Sequence, residues 1–182
     1  MLMTGAPTGR VIILTGSQGS GKTTNAMRLA GEAAAQGMPF QGVISPVVYE
    51  AGQRIGYDLA DITSGERAPL ARIDARGVQR QGLFVFLPEG LALAARALTD
   101  AAARLGEPAL VDEVGPLELR GLGFAPWLKR LALKKAPLML TVRPNLVVAV
   151  IKRFRLTGAM VYDLEVRTQP LRLDDIMPRF TR

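Results

Sequence analysis

The chain contains no cysteine and no histidine. The first absence removes disulfide frameworks, iron–sulfur clusters and zinc sites built on thiolates. The second removes Ser-His-Asp triads and histidine general bases. Acid–base chemistry therefore falls to carboxylates, lysine, tyrosine or a metal-bound water. Long apolar runs are missing as well. The run from Leu146 to Ile151 is of the kind found, and it is far short of the roughly 18 residues that cross a bilayer. Met1 to Arg10 lacks the apolar centre of a signal peptide. These absences lead to the expectation of a cytoplasmic protein with no membrane partner. Basic stretches interleaved with aromatic platforms, the mark of single-strand nucleic-acid binding, are also absent. There is no internal repeat and no low-complexity segment beyond alanine-rich helix surface.

What is present is a chain of 182 residues, the length of one domain with a sizeable core. Its net charge is +7. The Lys and Arg residues are spread along the chain, so the charge reads as a solubilising surface before it reads as a nucleic-acid footprint.

The most informative stretch begins at Val11. An apolar run closes on Thr15, and Gly16-Ser17-Gln18-Gly19-Ser20-Gly21-Lys22-Thr23 follows, with Thr24 behind it. This is G-x-x-x-x-G-K-T in a strand-to-helix context, the phosphate-binding loop. Its glycines permit backbone conformations that point successive N–H groups inward at an anion. Residues 16–24 are the candidate nucleotide-binding set. Lys22 is expected to reach the β- and γ-phosphates and the Thr23 hydroxyl to bind Mg²⁺.

The rest of the chain alternates strands and helices. The helix after the loop is expected over about 21–36, with Ala26, Leu29, Ala30 and Ala33 on one stripe and Gly37 as its stop. Residues 42–62 read as an inserted β-hairpin: a strand at 42–49, a turn at 50–53, and an alternating strand at 54–62 carrying Ile55, Tyr57 and Leu59 on one face. Pro46 asks for an edge or a bulge. The charged segment 67–81 reads as a loop over the site, and 83–86 as a short strand. Pro88 opens a helix with Leu91, Ala94, Ala95, Leu98, Ala102 and Leu105 on one face. Phe124, Trp127, Leu128 and Leu131 mark another helix, with Trp127 as a core anchor. A strand over 137–142, a helix capped by Asn145 and ended by Gly158, an edge strand over 160–166 and a short helix near 173–177 complete the pattern. The fold expected is α/β, a P-loop NTPase with a largely parallel sheet flanked by helices on both faces. It forms a single domain over 1–182 with a loose N-terminus at 1–9.

A second acidic signal answers the loop. Ala109-Leu110-Val111 is a short apolar strand that ends in Asp112-Glu113. P-loop enzymes hold Mg²⁺ between the loop's hydroxyl and an Asp at the tip of a neighbouring strand, and Asp112 fits that part, through water. Glu113 is then placed to accept a proton from a water attacking the γ-phosphate. Arg143 follows a strand expected to end at the same sheet edge, which makes it the first candidate for a transition-state cation. Arg54 and Arg72 read as surface arginines. Thr141 either senses the γ-phosphate or packs, and Tyr57 packs rather than stacking on a base. The reading is a Mg²⁺-dependent nucleoside-triphosphate hydrolase. One alternative is a nucleoside or nucleotide kinase with an acceptor pocket and a lid carrying Arg67, Arg72, Arg76 and Arg80. Another is a nucleotide-gated protein that binds RNA or a partner. Base preference and oligomeric state have no counterpart in the pattern.

The residues also resemble a known family, the THEP1-type nucleoside-triphosphatases. The resemblance rests on the loop, on Arg54-Ile55-Gly56-Tyr57-Asp58, on Ser64-Gly65-Glu66 with Leu70-Ala71-Arg72, and on Asp112-Glu113-Val114-Gly115-Pro116-Leu117-Glu118-Leu119. It covers about Val11 to Leu119. Two places depart from it: Val43-Ile44-Ser45-Pro46-Val47 lacks the acid often found there, and Gln18 stands where proline is common. The resemblance implies a P-loop protein of the additional-strand class with a catalytic Glu, and hydrolysis of nucleoside triphosphates with broad base preference.

Overall fold

The computed structural model describes residues 10–104, 106–166 and 169–180, with the backbone alone at 179. The expected loose N-terminus at 1–9 and Leu105 of the second helix lie outside the described residues.

The first strand, β1 (Val11–Thr15), is followed by α1 (Lys22–Ala35). Six further strands come before the next helix: β2 (Gln41–Ile44), β3 (Val47–Glu50), β4 (Gln53–Asp61), β5 (Arg67–Ile73), β6 (Gln79–Gln81) and β7 (Phe84–Phe86). Then come α2 (Pro88–Ala103), β8 (Ala109–Val114), α3 (Pro116–Leu119), α4 (Ala125–Leu133) and β9 (Leu138–Val142). The chain closes with α5 (Val147–Phe154), β10 (Met160–Asp163) and α6 (Leu173–Phe180).

The strands form one sheet in the order β10-β1-β9-β8-β2-β4-β5-β7-β6, with β3 beside β4. The five strands from β10 to β2 are parallel. From β2 onward every pairing is antiparallel. The sheet is thus mixed: a parallel half that carries the loop, and an antiparallel extension larger than a single hairpin. In the parallel half β9 lies between the loop strand β1 and the acidic strand β8, which is the additional-strand arrangement.

Strand alternation divides the core. Ile13 faces one side with Val111, Leu140, Leu93, Leu98, Leu128 and Val150, beneath α2, α4 and α5. Ile12 and Leu14 face the other, with Leu29, Phe40, Ile176 and others beneath α1 and α6. The stripe Ala26, Leu29, Ala30 and Ala33 seats α1 on that second face. Its small residues let the helix approach the sheet, and each fully buried leucine contributes about 2 kcal/mol.

Several boundaries differ from expectation for local reasons. The strand expected over 42–49 is two strands. It breaks at Ser45-Pro46, where proline offers no N–H to a ladder; β2 continues the parallel half and β3 turns back on β4. The segment 67–81 is not a loop over the site. It contains β5 and β6, the latter at the outer edge of the extension. Asn145 does not cap α5: it sits in a 3-10 turn, and Leu146 is the N-cap without a side-chain bond. That helix ends at Arg155 in the left-handed region, not at Gly158. Trp127 is only partly buried against the core, and its indole N–H donates to Thr99 Oγ1 at 2.9 Å. The strand expected over 160–166 stops at Asp163, and Glu165 lies in the turn beyond it. The final helix is longer than expected and reaches Phe180, whose ring meets Phe40 edge-on with centroids 5.4 Å apart.

Candidate active site

Strand β1 delivers the chain to Gly16, where it bends back on itself. A Cβ at Gly16 would lie 2.4 Å from Ser20 Oγ, and Gly19 and Gly21 hold φ of 83° and 82°. The loop therefore needs glycine at these positions to close. Lys22, 5 % exposed, donates from Nζ to the carbonyls of Gly16 at 2.9 Å and Ser17 at 2.7 Å, which places its ammonium inside the loop. Ser17, Gln18, Gly19 and Thr24 are exposed, and Ser20 is partly so. The sequence reading missed one support of the loop. The Ser17 N–H and hydroxyl donate to Glu165 at 2.8 and 2.6 Å, and these bonds hold the Glu165 carboxyl below its usual pKa. They fasten the loop to the turn after β10.

Asp112 lies at the centre of the site and is fully buried. Its Oδ2 accepts from Thr23 Oγ1 at 2.8 Å and from the Ser45 N–H at 2.9 Å. Its Oδ1 accepts from the Thr141 hydroxyl. Burial pushes its pKa up, and the bonds from Thr141, Ser45 and Thr23 oppose the rise. Thr141 thus does more than pack. Its Oγ1 donates to Asp112 and accepts the Glu113 N–H at 2.8 Å.

That second bond replaces a missing rung of the ladder. The β8/β9 register shifts between Val111 and Val114, and Glu113 takes φ of 57°. A non-glycine residue held there is strained, and the geometry turns the Glu113 side chain into the cleft next to Arg143. Burial, then the charge of Asp112, raise the Glu113 pKa; Arg143, Lys22 and Arg54 pull it back. A carboxylate with raised proton affinity suits a general base.

The candidate arginines separate. Arg143 is exposed at the cleft. Burial, then the charge of Glu113, raise the Tyr57 pKa, and Arg54 and Arg143 oppose the rise. Arg54 lies over the Phe84 ring at 5.0 Å and donates to the Tyr57 hydroxyl at 3.1 Å. Arg72 is held within the extension by Asp58 and the Tyr57 carbonyl. Tyr57 packs edge-on against Phe84 at 5.3 Å, as expected of a packing residue.

Thr23 Oγ1 and Asp112 Oδ2 offer hard oxygens 2.8 Å apart, beside the loop. Among the described residues no group of three or more acidic, His or Cys side chains could hold a metal. That donor set fits Mg²⁺, which keeps several waters and binds through one or two protein oxygens together with substrate phosphates.

A glycine loop on β1, an Asp two strands away on β8, a Glu beside it and β9 between them define a P-loop NTPase of the additional-strand class. The family described as NTPase matches residues 11–177. The chain is 36 % identical over 133 residues to the nucleoside-triphosphatase THEP1 of Methanopyrus kandleri, covering 72 % of each. It is 27 % identical over 175 residues to that of Sulfolobus acidocaldarius, covering 93 % of each. The crystal structure of THEP1 from Aquifex aeolicus shares the fold with a TM-score of 0.73 at 22 % identity, over 94 % of this chain and 99 % of that one. The solution structure of a human cancer-related nucleoside triphosphatase does so at 0.68 and 24 %, over 93 % and 96 %. The chain belongs to this NTPase family. No helix among the described residues is long and apolar enough to cross a membrane.

Proposed function

We propose that the chain cleaves the β–γ bond of nucleoside triphosphates with Mg²⁺ in the cytoplasm, and that Glu113 is the general base. The observation that carries this is the chain of bonds from Thr23 through Asp112 and Thr141 to Glu113. It joins a metal-binding hydroxyl to the strained backbone of the residue whose carboxylate faces the cleft.

The N–H groups of residues 16–23 and the Lys22 ammonium bind the β- and γ-phosphates. Thr23 and, through water, Asp112 would hold Mg²⁺, which when bound would neutralise charge on the phosphate oxygens. Glu113 takes a proton from the water as its oxygen bonds to the γ-phosphorus and the nucleoside diphosphate leaves. Arg143, exposed at the same cleft, offers a cation in cis to the transferred group. The nucleoside-triphosphatase relatives support a nucleoside triphosphate as the substrate.

Phosphate release by Glu113→Gln tests the base. Turnover is expected to fall at least about a hundredfold while binding of a fluorescent ATP analogue persists. Lys22→Ala is expected to lose binding, turnover or both. Near-normal turnover in the Gln variant would remove Glu113 from the mechanism.

A further inference from the structure

The cleft that holds Glu113 and Arg143 extends toward the antiparallel extension, and no residue of the glycine loop lines it. Tyr57, Phe84, Phe86 and Leu117 are among its apolar walls, and Ser45, Gln81, Glu113, Glu118 and Arg143 are its polar lining. Ser45 is 1 % exposed, and its Oγ has no hydrogen-bond partner although its N–H holds Asp112. The buried Oε1 of Gln81 is also unpartnered. Buried polar groups are almost always paired with protein or with a bound molecule, so two polar atoms in one cavity that no protein group pairs leave room there for a molecule that does.

Size limits the ligand. The cavity holds about 60 Å³, less than half of the ~150 Å³ that admits a benzene ring. A nucleoside does not fit. A hydroxyl on one or two methylenes does: the aromatic walls cover the methylenes, and Ser45 and Gln81 meet the hydroxyl. Water alone would satisfy the polar atoms and leave the apolar walls bare.

We propose that this cavity is an acceptor site for a small primary alcohol, and that the chain transfers the γ-phosphoryl group to that hydroxyl as well as to water. The inference rests on Glu113 as the proton acceptor. The alcohol oxygen bonds to the γ-phosphorus as the bond from phosphorus to the β–γ bridging oxygen breaks. The electron pair of that bond leaves with the nucleoside diphosphate, and the hydroxyl proton passes to Glu113. The products are the diphosphate and an alkyl phosphate.

The test uses γ-labelled ATP with Mg²⁺ and a fixed concentration of ethanol, 1-propanol or benzyl alcohol, and reads the ratio of alkyl phosphate to inorganic phosphate. Both products arise at one site, so damage to folding or nucleotide binding lowers both and leaves the ratio unchanged. Ethanol and 1-propanol are expected to exceed their molar proportion to water by about tenfold or more, the discrimination one buried methylene gives. Benzyl alcohol is expected to give no product until Phe84→Ala enlarges the cavity. Gln81→Leu is expected to bring the ethanol ratio back toward the molar proportion. Ratios at the molar proportion for all three alcohols, or ratios that neither substitution moves, overturn the acceptor site. If that happens while Glu113→Gln still abolishes phosphate release, hydrolysis by Glu113 stands and the acceptor site alone fails. If Glu113→Gln leaves both products unchanged, the reading beneath the proposal fails with it.

Discussion

Thr141 joins the Asp112 carboxylate to the Glu113 backbone through a single oxygen. Thr141→Val keeps the shape of the side chain and removes that oxygen, leaving Asp112 Oδ1 and the Glu113 N–H without their partner. Each buried group left unpaired costs about 1–3 kcal/mol, so urea denaturation should show a loss of about 3 kcal/mol. Turnover should fall further than nucleotide affinity, because the residue that shifts is Glu113. Thr141→Ser restores the hydroxyl and should recover most of both; a serine variant as impaired as the valine one would show that the methyl group, not the bond, matters. At this scale the loop and Asp112-Glu113 were legible in the sequence, because fixed spacing and a strand-to-helix context mark them. Thr141 and Ser45 were not. Thr141 lies within β9 and Ser45 just past β2, and their bonds to Asp112 arise only once strands distant in the chain are paired. Glu165 was equally hidden: it meets Ser17 across 148 positions of chain.

Directly after Glu113, at the end of β8, the chain turns into α3. Glu118 in α3 accepts the Gly115 N–H at 2.8 Å and the Phe124 N–H at 3.1 Å, so one carboxylate fastens both ends of that turn. Burial raises its pKa above 4.5, and the two backbone bonds oppose the rise. The folded chain therefore retains a proton at Glu118 to higher pH than the unfolded chain does. Stability attributable to this group is fully present below the unfolded pKa and is lost as pH rises through the folded pKa. Glu118→Gln, which mimics the protonated acid, should melt with a flatter pH dependence than the parent from about pH 4 upward; parallel pH profiles for the two would mean the folded pKa is ordinary. The long elements around this turn were legible from their periodicity. Segment 67–81 was not, since the β4/β5 register shifts between Tyr57 and Asp58 and buries Leu70 and Ala71 in succession. That breaks the alternation by which a strand is recognised.

Across the whole molecule the site is a seam between two kinds of sheet. The parallel half brings the loop, Asp112 and Arg143 to one edge. The antiparallel extension contributes Arg54, Tyr57 and the aromatic wall, and Ser45 stands where β2 gives way to β3. A nucleotide bound in the folded state alone must stabilise the whole chain by mass action. At a hundredfold excess over its Kd the gain is about 2.7 kcal/mol, which for a chain of this length raises Tm by about 5–11 °C. A non-hydrolysable ATP analogue with Mg²⁺ is expected to produce that rise, and a chelator should remove much of it, because Thr23 and Asp112 then face the phosphates without the cation between them. In Lys22→Ala the rise should disappear. An equal rise with and without Mg²⁺ would mean that the loop alone binds the nucleotide, and that the Thr23–Asp112 pair is a structural bond rather than a metal site.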